Sequence, residues 1–285
     1  MTLPNVLLIG AQKAATTTLW FGLKNHPDAF FPDRKELMFF LSDELYSQGP
    51  DAYARWFQDW SGQRVVGEGT PCMHSEGVAK RMADVVPQAR LIASLRDPIE
   101  RAYSSFCMQL LKGSEPPGRT FEEAIERDAS YLDFGRYIHQ LRALEEYYPR
   151  SRMHVLLDTD LKERPDATWR AIHEFLEIEH IPVQATARAN VGGKPKSRVV
   201  SRAVYLLYKA RNRMRATPLA GLVNHPWLDQ HSRELRNYIS RWNRSSGRYP
   251  ALCADRRAAL LPHVREDIEA LEVWLDRDLS SWREV

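Results

Sequence analysis

Four short apolar runs punctuate the first part of the chain: Val6–Ile9, Arg64–Gly67, Arg90–Leu95 and Met153–Leu157. Each is too short for a helix and carries β-branched or leucine side chains without polar alternation, the pattern of strands buried on both faces. Between them, apolar positions recur at helical spacing over Thr16–Asn25, where Leu19, Trp20 and Leu23 form a stripe, and over Ala52–Trp60, Gly77–Val85, Pro98–Leu111 and Tyr137–Tyr148. Strands alternating with helices predict an α/β fold of three layers, a central parallel sheet flanked by helices. Beyond about Pro165 the periodicity is helical only, over Ala167–Leu176, Val199–Arg215, a segment near Ser232–Asn243, and Arg256–Leu275. The chain therefore reads as one domain over 1–285, with an α/β core in 1–180 and a helical part in 181–285. Pro116-Pro117-Gly118 and Ala185–Arg198 read as mobile loops.

Composition narrows the function classes. Forty basic against 37 acidic residues leave a formal net charge of +3, which makes no electrostatic case for nucleic acid. Cys72, Cys107 and Cys253 are odd in number and widely spaced, so neither a disulfide framework nor a zinc site is expected. No apolar run reaches membrane-spanning length, and a first strand starting so close to Met1 leaves no room for a signal peptide. A cytoplasmic protein without a membrane span is the expectation.

The candidate chemistry begins in Pro4–His26, PNVLLIGAQKAATTTLWFGLKNH. A buried strand ends at Gly10, a loop of small residues carries Lys13, and a helix starts at Thr16-Thr17-Thr18. Strand, tight turn and helix amino terminus present backbone N–H groups and the positive end of the helix dipole to one point, which is a phosphate cradle. It departs from the Walker pattern G-x-x-x-x-G-K-[ST]: counted from Gly10, the sixth position is Ala15 and the lysine comes three places early. An ordinary strand–helix turn with an exposed lysine is the alternative.

A second informative stretch is Arg90–Leu111. Asp97 suits an N-cap, Pro98 the first helical position, and Glu100 the third, completing a capping box. Arg96 is thereby placed at the carboxyl end of a strand, on the same sheet edge as Lys13. Arg101, Ser104 and Ser105 share a helix face. Guanidinium and hydroxyl would suit a second phosphate. The alternative is an arginine paired with Asp97 or Glu100 and a serine facing solvent.

Gln12-Lys13-Ala14-Ala15-Thr16-Thr17 resembles the 5′-phosphosulfate loop of sulfotransferases that use 3′-phosphoadenosine 5′-phosphosulfate (PAPS), with Ala15 standing where that family usually has glycine. Arg96-Asp97-Pro98 followed by Arg101-Ala102-Tyr103-Ser104-Ser105 resembles their 3′-phosphate motif, and the arginine-to-serine spacing of eight agrees. Lys35–Phe40 is similar to the K-E-x-x-F-F segment of the heparan sulfate-type branch and its bacterial relatives. Gly67–Pro71 is similar to a segment lining the acceptor cleft. Gly135-Arg136-Tyr137 with Leu141 resembles a helix start of the family, Asn190–Arg198 its late loop closing over PAPS, and Asp267–Trp282 its C-terminal stretch. Residues 202–249 match no landmark of the family.

The resemblance implies a P-loop-like fold and in-line sulfuryl transfer from PAPS to a hydroxyl or amine of a carbohydrate or small metabolite, leaving 3′-phosphoadenosine 5′-phosphate. Lys13 would stabilise the leaving phosphate, acting where charge develops. Gln12, Ala14, Ala15, Thr16, Thr17 and Thr18 would hold the 5′-phosphate, Arg96 and Ser104 the 3′-phosphate, and Lys194, Lys196, Ser197 and Arg198 would close over the nucleotide. Glu36 is the implied general base, with His26 and His74 as alternatives. Lys35, Thr70, His74, Tyr137 and His139 are candidates for the acceptor side. The migrating group carries little charge, so no metal is expected. Arg211, Arg213 and Arg215 alternate along a helix, where they attract an anionic acceptor or simply solvate the surface. Two rivals stand beside this reading. One is a nucleotide kinase, which needs a Walker lysine and a magnesium carboxylate. The other is a nucleotide-binding module that transfers nothing.

Overall fold

The computed structural model describes residues 1–183, 194–215, 231–232, 235, 238–239, 242–245 and 249–285. Five strands, β1 (Val6–Gly10), β2 (Ala29–Phe30), β3 (Val65–Glu68), β4 (Arg90–Leu95) and β5 (Met153–Leu157), form one parallel sheet in the order β2-β3-β1-β4-β5. Four of the five coincide with the apolar runs to within one residue. The exception is β2, whose two residues are too few to carry a periodicity. The chain fills one side of β1 with β2 and β3 and then the other with β4 and β5. The order reverses at β1, and the crevice at the carboxyl end of such a switch strand is where parallel sheets bind ligands.

Helices Thr16–Lys24, Val78–Val85, Pro98–Lys112, Tyr137–Glu145, Pro165–Leu176 and Arg198–Arg215 begin and end within three residues of the predicted spans. Two expectations need correction. The Ala52–Trp60 helix starts earlier, at Gly49, and tightens into a 3-10 turn over Arg55–Phe57. The single helix over Arg256–Leu275 is two, Ala254–Leu260 and Arg265–Leu275, joined by a 3-10 turn at Leu261–His263. Pro262 sits in that turn, and a proline has no N–H with which to continue the helical ladder. Half of Ser232–Asn243, and residues 185–193 of the predicted Ala185–Arg198 loop, lie outside the described residues.

The chain divides into two compact units. The first comprises residues 1–101, 132–190 and 254–285 and contains the sheet; the second comprises 102–131 and 191–253. In the first, Val6 and Leu8 of β1, Val65, Ile92 and Leu156 pack under Leu19, Trp20 and Leu23 of the first helix and Trp169, Ile172 and Leu176 of the Pro165 helix. Gly22 permits this close approach, since a Cβ there would lie 2.2 Å from the Trp169 ring. In the second, Tyr103, Phe106, Phe121 and Tyr131 form an aromatic cluster, and the Tyr103 hydroxyl donates to the Pro250 carbonyl at 3.0 Å. Among the described residues no helix is long and apolar enough to cross a membrane, and no cluster of three His, Cys, Asp or Glu side chains could hold a metal ion.

Candidate functional site

The carboxyl ends of β3, β1 and β4 lie side by side, so Glu68–Thr70, the loop 11–15 and Arg96 share one edge of the sheet. The loop is pinned at its start by Ala11 N–H donating to the Ser94 carbonyl at 2.6 Å and by Cys72 and Met73 N–H on the Ile9 carbonyl. Lys13 and Ala15 take left-handed conformations, φ 73° and 62°, either side of the fully buried Ala14. Left-handed residues interleaved with others turn successive N–H groups towards one concavity, the geometry of an anion nest. Ala15 is the N-cap of the first helix and offers no side-chain acceptor to its amino-terminal N–H groups, and the first turn contains no acidic residue. A helix start lacking both a capping side chain and a neutralising carboxylate keeps its affinity for an external anion.

A second cation reaches this loop. Lys35 Nζ donates to Thr16 Oγ1 at 3.0 Å and Thr17 Oγ1 at 3.2 Å, and lies 3.4 Å from Glu36 Oε1. Its side chain is only 16% exposed, against 51% for Glu36. Burial lowers the Lys35 pKa, opposed by the carboxylates of Glu36 and Glu68. Glu68, the last residue of β3, is buried; desolvation pushes its pKa up to about 7 despite hydrogen bonds from the Thr70 hydroxyl and the Leu37 N–H. Glu68 was not singled out from sequence, although the Gly67–Pro71 segment that contains it is the one similar to a segment lining the acceptor cleft.

Arg96 follows β4 directly, and Nη2 pairs with Glu100 Oε2 at 3.1 Å. Asp97 caps the Pro98 helix as expected, its Oδ1 accepting from Ile99 and Glu100 N–H at 2.9 Å each. Glu100, predicted to close the capping box, instead gives its carboxylate to Arg96. The other Asp97 oxygen takes Arg257 at 2.6 Å, which ties the C-terminal helices to this corner. Ser104 is half-buried in the same helix, eight residues on.

The acceptor candidates do not all meet. Thr70 is buried, its hydroxyl donating to Glu68 Oε2 at 2.8 Å and accepting from Met38 N–H at 3.1 Å. Tyr137 is also buried and donates to the Arg96 carbonyl at 2.8 Å, which makes it a support for the strand end. His74 packs on Phe134, ring centroids 3.9 Å apart, and burial plus the Arg101 charge bring its pKa down to about 4. His139 is exposed on the Tyr137–Glu145 helix, where its charge acts on Asp267. His26 lies beyond the far end of the first helix, held by the Glu179 carbonyl at 2.9 Å and the Asp28 N–H at 3.1 Å, well removed from the loop.

Within the second unit, the 194–197 segment is fastened to 243–245. Asn243, itself buried, accepts from Ser197 N–H at 2.8 Å and donates to the Ser197 carbonyl and Ser201 Oγ at 3.1 Å each, and Pro195 bridges Arg244. Lys194 and Lys196 are exposed, Lys194 Nζ lying 6.0 Å from the Tyr249 ring centroid. The side chains of Arg198, Arg211, Arg213 and Arg215 lie outside the described residues.

Residues 44–182 match the model of the sulfotransferase family, a span that includes Glu68 and Arg96. Over that span, 139 of the 285 residues, the chain resembles the sulfotransferase family. It is 33% identical over 141 residues to the membrane-associated sulfotransferase kil1 of Dictyostelium discoideum, covering 47% of this chain and 30% of that protein. To the human bifunctional heparan sulfate N-deacetylase/N-sulfotransferase 2 it is 29% identical over 196 residues, 62% of this chain and 22% of that one. The chain thus spans under a third of the length of these two relatives. The crystal structure of a sulfotransferase from Alicyclobacillus acidocaldarius shares the fold across 100% of both chains, with a TM-score of 0.69 at 22% identity. Sulfuryl transfer is consistent with this match.

Proposed function

We propose that this protein is a sulfotransferase that moves a sulfuryl group from PAPS to a hydroxyl or amine of a carbohydrate or small-molecule acceptor. The observation that carries the reading is the loop 11–18: an uncapped helix start, a left-handed pair at Lys13 and Ala15, and the Lys35 ammonium on the hydroxyls of Thr16 and Thr17. These residues fit the 5′-phosphosulfate end of the donor, which supplies the sulfuryl group and a phosphate as leaving group. Lys13 would neutralise the charge that grows on the leaving phosphate oxygen. Thr16, Thr17 and Thr18, with the N–H groups about Ala14 and Ala15, would hold the 5′-phosphate. Arg96, on the neighbouring strand end, would take the 3′-phosphate, exchanging its Glu100 partner for the ligand.

Glu36 is the proposed base. Its carboxylate is half-exposed beside Lys35, so an acceptor can reach it, and proton removal there would accompany attack on sulfur. A carbohydrate acceptor is favoured by similarity to the heparan sulfate N-sulfotransferases.

Titration calorimetry with 3′-phosphoadenosine 5′-phosphate, 5′-AMP and ATP, without metal, tests the reading. Binding that requires the 3′-phosphate and weakens in Arg96→Ala supports it. No binding, or magnesium-dependent preference for ATP, overturns it in favour of a kinase. Glu36→Gln then separates enzyme from binding module: turnover of PAPS with an acceptor falls while nucleotide affinity stays.

A further inference from the structure

We infer that Lys35 is a second donor-side cation, working with Lys13 on the phosphosulfate, and that the buried Glu68–Thr70 pair positions it there. The inference rests on the reading of the loop as the donor site. It moves Lys35 from the acceptor side, where its sequence segment suggested it belonged, to the donor side.

Three observations support it. First, a lysine normally buries its stem and sends its ammonium to water. Lys35 instead ends on two hydroxyls of the helix start, one of them on the buried Thr16. An ammonium can only donate, so these hydroxyl oxygens act as acceptors towards it and turn their own protons to other partners. That is the polarity an incoming phosphate or sulfonate oxygen needs.

Second, the segment carrying Lys35 is stitched to the end of β3 at successive residues. Gly69 N–H donates to the Lys35 carbonyl at 3.2 Å, and Leu37 N–H donates to the Glu68 carboxylate. Met38, with φ 65°, donates to Thr70 Oγ1 at 3.1 Å, and Thr70 in turn donates to Glu68 at 2.8 Å. The stem also passes over Gly69, where a Cβ would sit 3.5 Å from Lys35 Cγ and 3.1 Å from Trp20 Cδ1. Few rotamers satisfy all of these at once, which is how supporting contacts fix a functional side chain.

Third, the electrostatics couple the pair. The groups facing Glu68 are Thr70, the Leu37 N–H, Lys35, Glu36, Tyr53 and Cys72. Only Lys35 among them is cationic. Ionised Glu68 supports the Lys35 charge, and protonated Glu68 does not, so donor affinity should weaken as pH falls through about 7.

The test is calorimetric titration with 3′-phosphoadenosine 5′-phosphate between pH 5.5 and 8.5, using wild type, Lys35→Gln, Lys35→Arg and Glu68→Gln, with thermal melts of each. Lys35→Gln is expected to weaken binding about tenfold, with Lys35→Arg restoring most of it. The ratio of wild-type to Glu68→Gln affinity is expected to rise through neutral pH, a dependence that loss of packing alone would not produce. Should Lys35→Gln fail to fold, Lys35→Met keeps the apolar stem and replaces it. Wild-type binding left unchanged by loss of the Lys35 charge overturns this inference alone. A wild type that binds no 3′-phosphoadenosine 5′-phosphate overturns the donor reading and this inference with it.

Discussion

Glu68 makes a stability prediction that requires no substrate. Burial of this carboxylate raises its pKa from 4.5 to about 7, so between those values the folded protein holds a proton that the unfolded chain has released. Stability falls with rising pH wherever the folded state binds more protons. The contribution of Glu68 is therefore smallest below about pH 4.5, becomes unfavourable through the window up to about 7, and is constant above it. The gap, at about 1.4 kcal/mol per pH unit, amounts to about 3 kcal/mol at alkaline pH. Glu68→Gln keeps the size and an acceptor oxygen for the Thr70 hydroxyl while removing the charge. It should be more stable than wild type above pH 7 by about 3 kcal/mol, less about 1 kcal/mol for an imperfect hydrogen bond, with the advantage vanishing near pH 5. Urea unfolding of both proteins at four pH values measures the difference directly. A difference independent of pH, or a variant less stable than wild type at pH 8, refutes the reasoning.

Other consequences are as direct. Ala15→Gly relieves a left-handed alanine worth about 1–2 kcal/mol, offset by about 0.5–1 kcal/mol of extra unfolded-state freedom; a melt should rise slightly or hold, whereas a clear fall would show that Ala15 is not strained. Gly22→Ala drives a methyl group to 2.2 Å from the Trp169 ring and should cost about 1–3 kcal/mol of stability, read by chemical denaturation. Lys13→Ala should lower kcat by about a hundredfold or more if it acts on the leaving phosphate, with stability unchanged; an unaltered kcat in a folded variant contradicts that role.

How far the chain could be read in one dimension follows from the range of the interactions. Strand and helix spans depend on neighbours a few residues apart, so the apolar runs and the Asp97-Pro98 start were visible at once. The loop 11–15 and its helix start were visible for the same reason: Gly10 to Thr18 lie in one continuous stretch. The break at Pro262 is equally local, and the expected Arg256–Leu275 helix runs across it.

The contacts of Lys35, Glu68, Thr70 and Tyr137 were decided elsewhere. Lys35 meets Thr16 across 19 residues and Tyr137 meets Arg96 across 41, separations at which sequence pattern carries no contact information. Nor does sequence state burial, and it is burial that raises the Glu68 pKa and encloses Thr70 and Tyr137. The sequence by itself determined the elements, their alternation and the anion-seeking loop, because each follows from local backbone preference and period. The parallel order of β3, β1 and β4 decided which side chains reach that loop, because only the sheet brings those three strand ends together and excludes water from between them.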